Sequence, residues 1–306
     1  MSEATPVRVD GRTLKLTNLD KVLYPEHGFT KGEVIDYYAR IAPVLLPHLA
    51  DRALTLKRYP NGVDGTSFFE KNVSRHAPEW VRTVRLDTPG SSRGAEHADY
   101  AVVEDTATLV WAANLAALEL HVPQWTVGPR GARRDPDLLV FDLDPGAPAT
   151  VVECCRVAEL LREALAEDGL TAYAKTSGSK GLQLYVPIDP VDAERPREYA
   201  HELAERLAGE HPKRIVSKMV RALRGGKVLI DWSQNNTAKT TIAPYSLRAR
   251  ENPTVSTPVT WAEVADCASP QDLVFTAPEV LDRVAEHGDL LADLRSQDRA
   301  SLPRRT

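Results

Sequence analysis

Two carboxylates at the end of an apolar strand raise the first chemical question. In Leu138-Leu139-Val140-Phe141-Asp142-Leu143-Asp144-Pro145-Gly146, four apolar residues read as a buried strand that the Pro-Gly pair ends. Strand side chains alternate between faces, so Asp142 and Asp144 project to the same side, about 7 Å apart at a rise of ~3.3–3.4 Å per residue. Two unpaired acids there repel each other unless a cation lies between them. A hard, oxygen-seeking Mg²⁺ or Mn²⁺ ion suits them; the plain alternative is two solvated acids, or acids paired to arginines such as Arg133 and Arg134. A third acid, Asp231, ends the run Val228-Leu229-Ile230 in the same way. The stretch 172–187 reads strand, glycine turn, strand, and its turn, Ser177-Gly178-Ser179-Lys180-Gly181, places backbone N–H groups, two hydroxyls and a lysine where a polyphosphate could bind. It is not a P-loop, because a strand follows and the G-x-x-x-x-G-K spacing is absent. Three acids on strand ends beside such a turn point to a two-metal site, with a lone salt-bridged Asp231 as the alternative.

The surrounding elements must position these groups. Residues 14–24 open with a short strand and turn. Thr30-Lys31-Gly32-Glu33 then forms a capping box before Val34, Tyr37, Tyr38 and Ile41, so a helix starts here. Lys31 lies at its positive end, as an anion contact or as a solvated surface lysine. Residues 54–59 read as a strand, followed past a Pro-Asn-Gly turn by Phe68-Phe69. Adjacent extended phenylalanines face opposite ways, so at least one lacks a place in the core; a free ring can stack a nucleobase, and the plain alternative packs both against the helix from Lys31. Residues 81–86 and 98–104 read as a hairpin with a long Gly- and Ser-rich tip over 87–97. Asp105-Thr106 opens a helix expected to run through Leu109, Ala112, Leu115, Ala116 and Leu120, leaving His121 as a buried cap or a phosphate contact. A second capping box, Thr150 with Glu153, starts a helix stopped at Gly169, and another helix spans about 196–208.

At 306 residues and 42% hydrophobic composition the chain reads as soluble and globular, of mixed α/β class. Its polar start lacks a secretion signal and no apolar run approaches membrane-spanning length, so a cytoplasmic location and no membrane partner are expected. Cys154, Cys155 and Cys267 show neither disulfide nor zinc spacing. The net charge of −5 hides an asymmetry: residues 211–250 carry nine Lys or Arg against Asp231 alone, 9 − 1 = +8, and include Arg221 and Arg224. A polyanion-facing zone therefore sits within an acidic protein.

With these residues in place, the chain resembles the archaeo-eukaryotic primase-polymerase superfamily, and specifically the polymerase domain of bacterial ligase D and its stand-alone relatives. The resemblance runs through Leu19-Asp20-Lys21-Val22-Leu23-Tyr24-Pro25, Phe68-Phe69, Glu119-Leu120-His121, Phe141-Asp142-Leu143-Asp144-Pro145, 176–182, Asp231-Trp232-Ser233-Gln234 and Ala243-Pro244-Tyr245-Ser246-Leu247-Arg248. It implies a catalytic core with a sheet like that of RNA-recognition motifs plus an N-terminal α/β portion, one catalytic domain over about 9–297. The N-terminal portion would span about 9–130 and the metal-binding core about 131–297, between polar tails 1–8 and 298–306. It implies Asp142, Asp144 and Asp231 as catalytic ligands of two divalent ions. Ser177, Lys180, Gly181, Gln183 and Arg248 would meet the incoming nucleotide, supported by Lys57, His121 and Gln234. Lys21 and Lys31 would hold a downstream 5′-phosphate, and Phe68 and Phe69 would stack the template, with Arg221 and Arg224 adding DNA contacts.

By the same resemblance the activity is template-directed filling of gaps and extension of DNA ends in non-homologous end joining, with NTP or dNTP, ribonucleotides preferred. A DNA ligase and a Ku-type end-binding protein are the implied partners. One position departs from the family pattern: its turn motif usually places a histidine where this chain has Gln183, which can donate to a phosphate but cannot become a cation. A DNA-end binding module with vestigial synthesis is therefore the competing reading, and metal-dependent hydrolysis a third. No K-x-D-G adenylation motif or His-rich nuclease signature is visible, so a polymerase module without ligase or phosphoesterase parts is expected.

Overall fold

The computed structural model describes residues 4–88, 96–296 and 299–303. Most of the expected hairpin tip, 89–95, and parts of both polar tails lie outside the described residues. The chain divides into two compact units: residues 1–133 with 242–255 and 276–288, and residues 134–241 with 256–275 and 289–306.

In the first unit the Thr30 capping box forms as written. Thr30 Oγ1 accepts from the Glu33 N–H at 3.2 Å, and Glu33 Oε2 accepts from the Thr30 N–H at 2.7 Å. Helix α1, Lys31–Leu49, follows and buries Val34, Tyr37, Tyr38, Ile41 and Leu45. The Tyr38 hydroxyl donates to the Leu118 carbonyl at 2.6 Å, tying α1 to a strand. That strand corrects the reading of residues 115–120. Helix α2, Thr106–Asn114, ends early, Ala116 takes a left-handed φ of 57°, and Ala117–Val122 is extended. The spacing of Leu109, Ala112, Leu115 and Leu120 mimics a helical face. After the left-handed break, Leu118 and Leu120 alternate with Glu119 and His121, and the period of two prevails. The Ala117–Val122 strand pairs antiparallel with Thr55–Arg58, which pairs on its other side with Phe68–Glu70. The hairpin Thr83–Asp87 with His97–Ala101 also forms.

The second unit is built on a six-stranded sheet. Its order is Ile215–Val216, Val228–Asp231, Leu138–Pro145, Leu182–Pro187, Tyr173–Thr176, Pro258–Val259, antiparallel except for the first pair. Leu139, Phe141 and Leu143 on the Leu138–Pro145 strand share one buried cluster with Leu161 of α3 (Val151–Glu167) and Leu203 of α4 (Arg195–Glu210). Each fully buried side chain of this kind contributes roughly 2–3 kcal/mol. The alternate face carries Val140, Asp142 and Asp144, so helix packing on one side leaves both acids on the other.

Candidate active site

Strand register places the acids. Asp142 lies directly opposite Asp231 on one neighbouring strand and opposite Gln183 on the other. Burial and the charge of Asp144 push the Asp142 carboxyl well above the usual carboxylate range, and Asp231 adds to the push. The Gln183 hydrogen bond and the Lys175 charge oppose it. Asp144 is raised too, by burial and then by Asp231, with Arg224 pulling it back. Glycines let the surrounding loops come this close. A Cβ on Gly146 would lie 2.0 Å from the Arg224 carbonyl, and one on Gly181 would lie 2.1 Å from the Leu143 carbonyl.

A set of hard carboxylate oxygens held together against repulsion fits a divalent cation by its donor chemistry. Among the described residues, however, no three His, Cys, Asp or Glu side chains close into a ready-made cage. Asp231 is held by its own chain neighbours: its Oδ1 accepts from the Ser233 N–H at 2.9 Å and from the Ser233 hydroxyl at 2.5 Å, and its Oδ2 accepts from Gln234 Nε2 at 2.9 Å. Gln234, expected near the nucleotide, here satisfies Asp231.

The turn at 177–181 is more self-contained than expected. Ser177 Oγ accepts from the Ser179 N–H at 3.2 Å and the Gly181 N–H at 3.1 Å, so these two donors are capped internally and the hydroxyl proton is what Ser177 can offer. Lys180 is exposed at the tip. Gln183 Nε2 donates to Asp142 Oδ1 at 3.0 Å, and its Oε1 accepts from Lys175 Nζ at 2.7 Å.

The first unit holds a second polar cluster around Glu119. His121 Nε2 lies 3.0 Å from Glu119 Oε2, Lys57 Nζ 3.7 Å from the same oxygen, and Arg248 Nε 3.5 Å from Oε1. Burial pushes the Glu119 carboxyl up, but the His121 hydrogen bond and the charges of Arg248, His121 and Lys57 outweigh it, and it falls to about 2. Burial lowers His121 below its ordinary value, against the upward pull of the Glu119 hydrogen bond and charge. Arg248 Nε is buried without a hydrogen-bond partner, as is Arg224 Nε in the other unit.

The adjacent phenylalanines are 38% and 51% exposed, so neither ring packs into the core. Phe69 meets His121 edge-on at 5.5 Å between centroids, and Arg58 sits 5.2 Å over Phe68. Lys31, by contrast, is buried: its Nζ donates to the Thr17 carbonyl at 2.6 Å, and burial lowers its pKa to about 8, helped by Lys21 and Arg58. It is therefore not a solvated surface lysine. The first backbone N–H groups of this helix are also taken, since Lys31 and Gly32 donate to the carbonyls of Lys21 and Leu19 at 2.8 Å each. Lys21 Nζ donates to Asn61 Oδ1 at 3.1 Å. Arg221 is exposed in a short 3-10 turn, Arg221–Leu223.

Comparison with known proteins agrees with this geometry. The family profile of the LigD primase-polymerase domain matches residues 30–291. The chain belongs to that family. Its members are nucleotidyltransferases of the primase-polymerase type. The multifunctional non-homologous end joining protein LigD of Mycolicibacterium smegmatis is 45% identical over 282 residues, 92% of this chain and 36% of the relative. The bifunctional LigD of Bacillus subtilis is 35% identical over 277 residues, 90% of this chain and 43% of the relative. The chain thus spans well under half the length of these relatives. Among solved structures, the polymerase domain of Mycobacterium tuberculosis ligase D in complex with DNA superposes with a TM-score of 0.86 at 44% identity, covering 92% of this chain and 97% of the other.

Within this LigD polymerase-type fold, two positions escaped assignment from sequence. Glu119 organises Lys57, His121 and Arg248, and the signal was its i,i+2 spacing to His121, which the helical misreading of 115–120 concealed. Lys175, fully buried in Tyr173–Thr176, was visible only as a lysine inside an otherwise apolar strand.

Proposed function

We propose that this chain carries out template-directed nucleotidyl transfer on DNA, filling gaps and extending ends in double-strand break repair by non-homologous end joining. The observation that carries the reading is the row of acids on one face of the sheet, with Asp231 buried, Asp142 half-buried and Asp144 exposed. Asp142 and Asp231 lie in direct register, with Asp144 on the same face, and burial and mutual repulsion raise both Asp142 and Asp144. Asp142 and Asp144, joined by Asp231, would hold two divalent ions. Bound there, such ions supply Lewis-acid activation of a primer 3′-hydroxyl and charge neutralisation of departing pyrophosphate. Mn²⁺ or Mg²⁺ suits these oxygen donors.

The chain's own groups do the rest. The Ser177 hydroxyl and the exposed Lys180 ammonium offer a donor and a cation to phosphate oxygens. In the first unit, Arg248 and Lys57 offer positive charge to an anion, and His121 holds the Glu119 carboxylate beside them. The exposed Phe68 and Phe69 offer faces for template bases. Ribonucleotides are the expected preferred substrate, measurable by rNTP and dNTP competition. A gapped primer-template with Mn²⁺ decides among the readings: the proposal expects a longer product from wild type. Asp142→Ala and Asp144→Ala should lower extension at least ~10³-fold while DNA affinity holds. A shifted band with no longer product would establish an end-binding module, and shortened strands a hydrolase.

A further inference from the structure

Four polar residues form a single row across the sheet. Asp231 lies opposite Asp142, Asp142 opposite Gln183, and Gln183 opposite Lys175, each on the next strand. One end of the row is acidic and the other is a buried lysine. Lys175 Nζ sits 2.7 Å from Gln183 Oε1 and 2.5 Å from Ser256 Oγ, and 5.2 Å over the Tyr185 ring. Ser256 in turn donates to the Thr176 carbonyl at 2.8 Å, which holds its lone pairs toward the lysine.

From this arrangement we propose that Lys175 and Gln183 are positioning residues that set the orientation of the Asp142 carboxylate for metal binding. The argument is one of donor polarity. An ammonium can only donate, so the carboxamide atom facing it must be the oxygen. The amide is planar, so its nitrogen then points the other way, and it lies 3.0 Å from Asp142 Oδ1. Lys175 thereby fixes the Gln183 flip, and Gln183 fixes which Asp142 oxygen is held, leaving the other free to ligate. A histidine at 183 would keep the same polarity, accepting from Lys175 on one ring nitrogen and donating from the other. On this account Gln183 serves the metal site rather than the nucleotide phosphates. Its amide donor to Asp142 needs no positive charge.

The proposal rests on the polymerase reading only in taking Asp142 as a metal ligand, and its test can be read without catalysis. Mn²⁺ affinity of the purified chain, measured by electron paramagnetic resonance without DNA or nucleotide, should fall about 10-fold in Gln183→Leu and stay within about 3-fold of wild type in Gln183→His. Lys175→Met should weaken Mn²⁺ in the same direction. If thermal melting shows that it does not fold, Gln183→Leu, checked by the same melt, decides alone. Wild-type Mn²⁺ affinity in Gln183→Leu together with a raised KM for nucleotide would overturn the proposal and make Gln183 a phosphate contact. Equal losses in Gln183→Leu and Gln183→His would overturn it as well. A wild-type chain that binds Mn²⁺ but extends no primer would fail the polymerase reading and leave this proposal standing.

Discussion

The Asp142 and Glu119 sites bury carboxylates in opposite electrostatic company. In the second unit, Asp142 faces other acids across the sheet, with a single buried lysine one residue removed, and its proton is held. In the first unit, Glu119 is surrounded by Lys57, His121 and Arg248 and is held ionised down to about 2. The first arrangement is short of positive charge and gains from an added cation. The second sets two permanent cations, Lys57 and Arg248, against one carboxylate, so it gains from an added anion. Burial alone does not tell a metal site from an anion site; the sign of the surrounding charge does.

The largest expected effect is on stability, and it has opposite signs at the two sites. Without divalent metal at pH 7, Asp142→Asn should stabilise by roughly 1–3 kcal/mol, because it removes a charge that burial and Asp144 oppose while the Asn oxygen still accepts from Gln183. Glu119→Gln should destabilise by about 2–3 kcal/mol, because it strands three donors in a buried pocket. The pH dependence separates them further. Glu119 has a depressed folded pKa, so its contribution is full above about 4.5 and is lost as pH falls from there toward 2. Asp142 has a raised folded pKa, so its penalty is absent in acid and grows as pH climbs above the ordinary aspartate value near 3.8. Thermal melts of the two variants across pH 3–8 measure both slopes. Two variants shifting melting in the same direction at pH 7 would erase the contrast.

Both sites were legible in the sequence to different degrees, for reasons visible in their neighbours. Asp142, Asp144 and Asp231 end apolar strands, and strand periodicity alone puts Asp142 and Asp144 on one face, as observed. The Thr30 and Thr150 capping boxes likewise form from local spacing. What sequence could not show was the use of donors: Gln234 turned onto Asp231, Ser177 closing its own turn, and Lys31 folded back onto the Thr17 carbonyl. The first two are rotamer choices between residues three and four apart, which spacing alone does not fix, and the third reaches back 14 residues to an earlier strand. The helix expected through Leu120 failed for a local reason, since a left-handed Ala116 has no signature in composition.

A smaller effect is expected at the exposed rings of the first unit. Phe69→Ala should weaken binding of a primer-template overhang by about 1–3 kcal/mol, the scale of one base stacked on an aromatic ring, and leave thermal stability within ~0.5 kcal/mol of wild type. Fluorescence anisotropy with single-stranded and blunt DNA tests it. An equal loss on blunt DNA would assign the ring to general packing rather than to template bases.

The smallest effect concerns Lys21 and Lys31, and it tests whether a buried cation can still serve an external anion. Lys31 is held by the Thr17 carbonyl and is lowered to about 8 by burial, then by Lys21 and Arg58. A group that sheds its proton this readily gains from a nearby phosphate, which would raise its pKa again. Affinity for a gap bearing a 5′-phosphate should exceed that for a 5′-hydroxyl gap by roughly 1 kcal/mol, and the advantage should shrink with added salt. It should also shrink as pH rises above 8. For stability the sign runs the other way: the depressed folded pKa favours unfolding fully below about 8, and the penalty fades as pH climbs toward the unfolded lysine value near 10.5. Rising pH should therefore weaken the phosphate preference while slightly firming this part of the fold, a pairing that general charge loss would not produce. Lys21→Ala with Lys31→Met should abolish the 5′-phosphate advantage and leave Mn²⁺ affinity unchanged. An unchanged phosphate preference in that double variant would make the lowered pKa of Lys31 a consequence of packing alone.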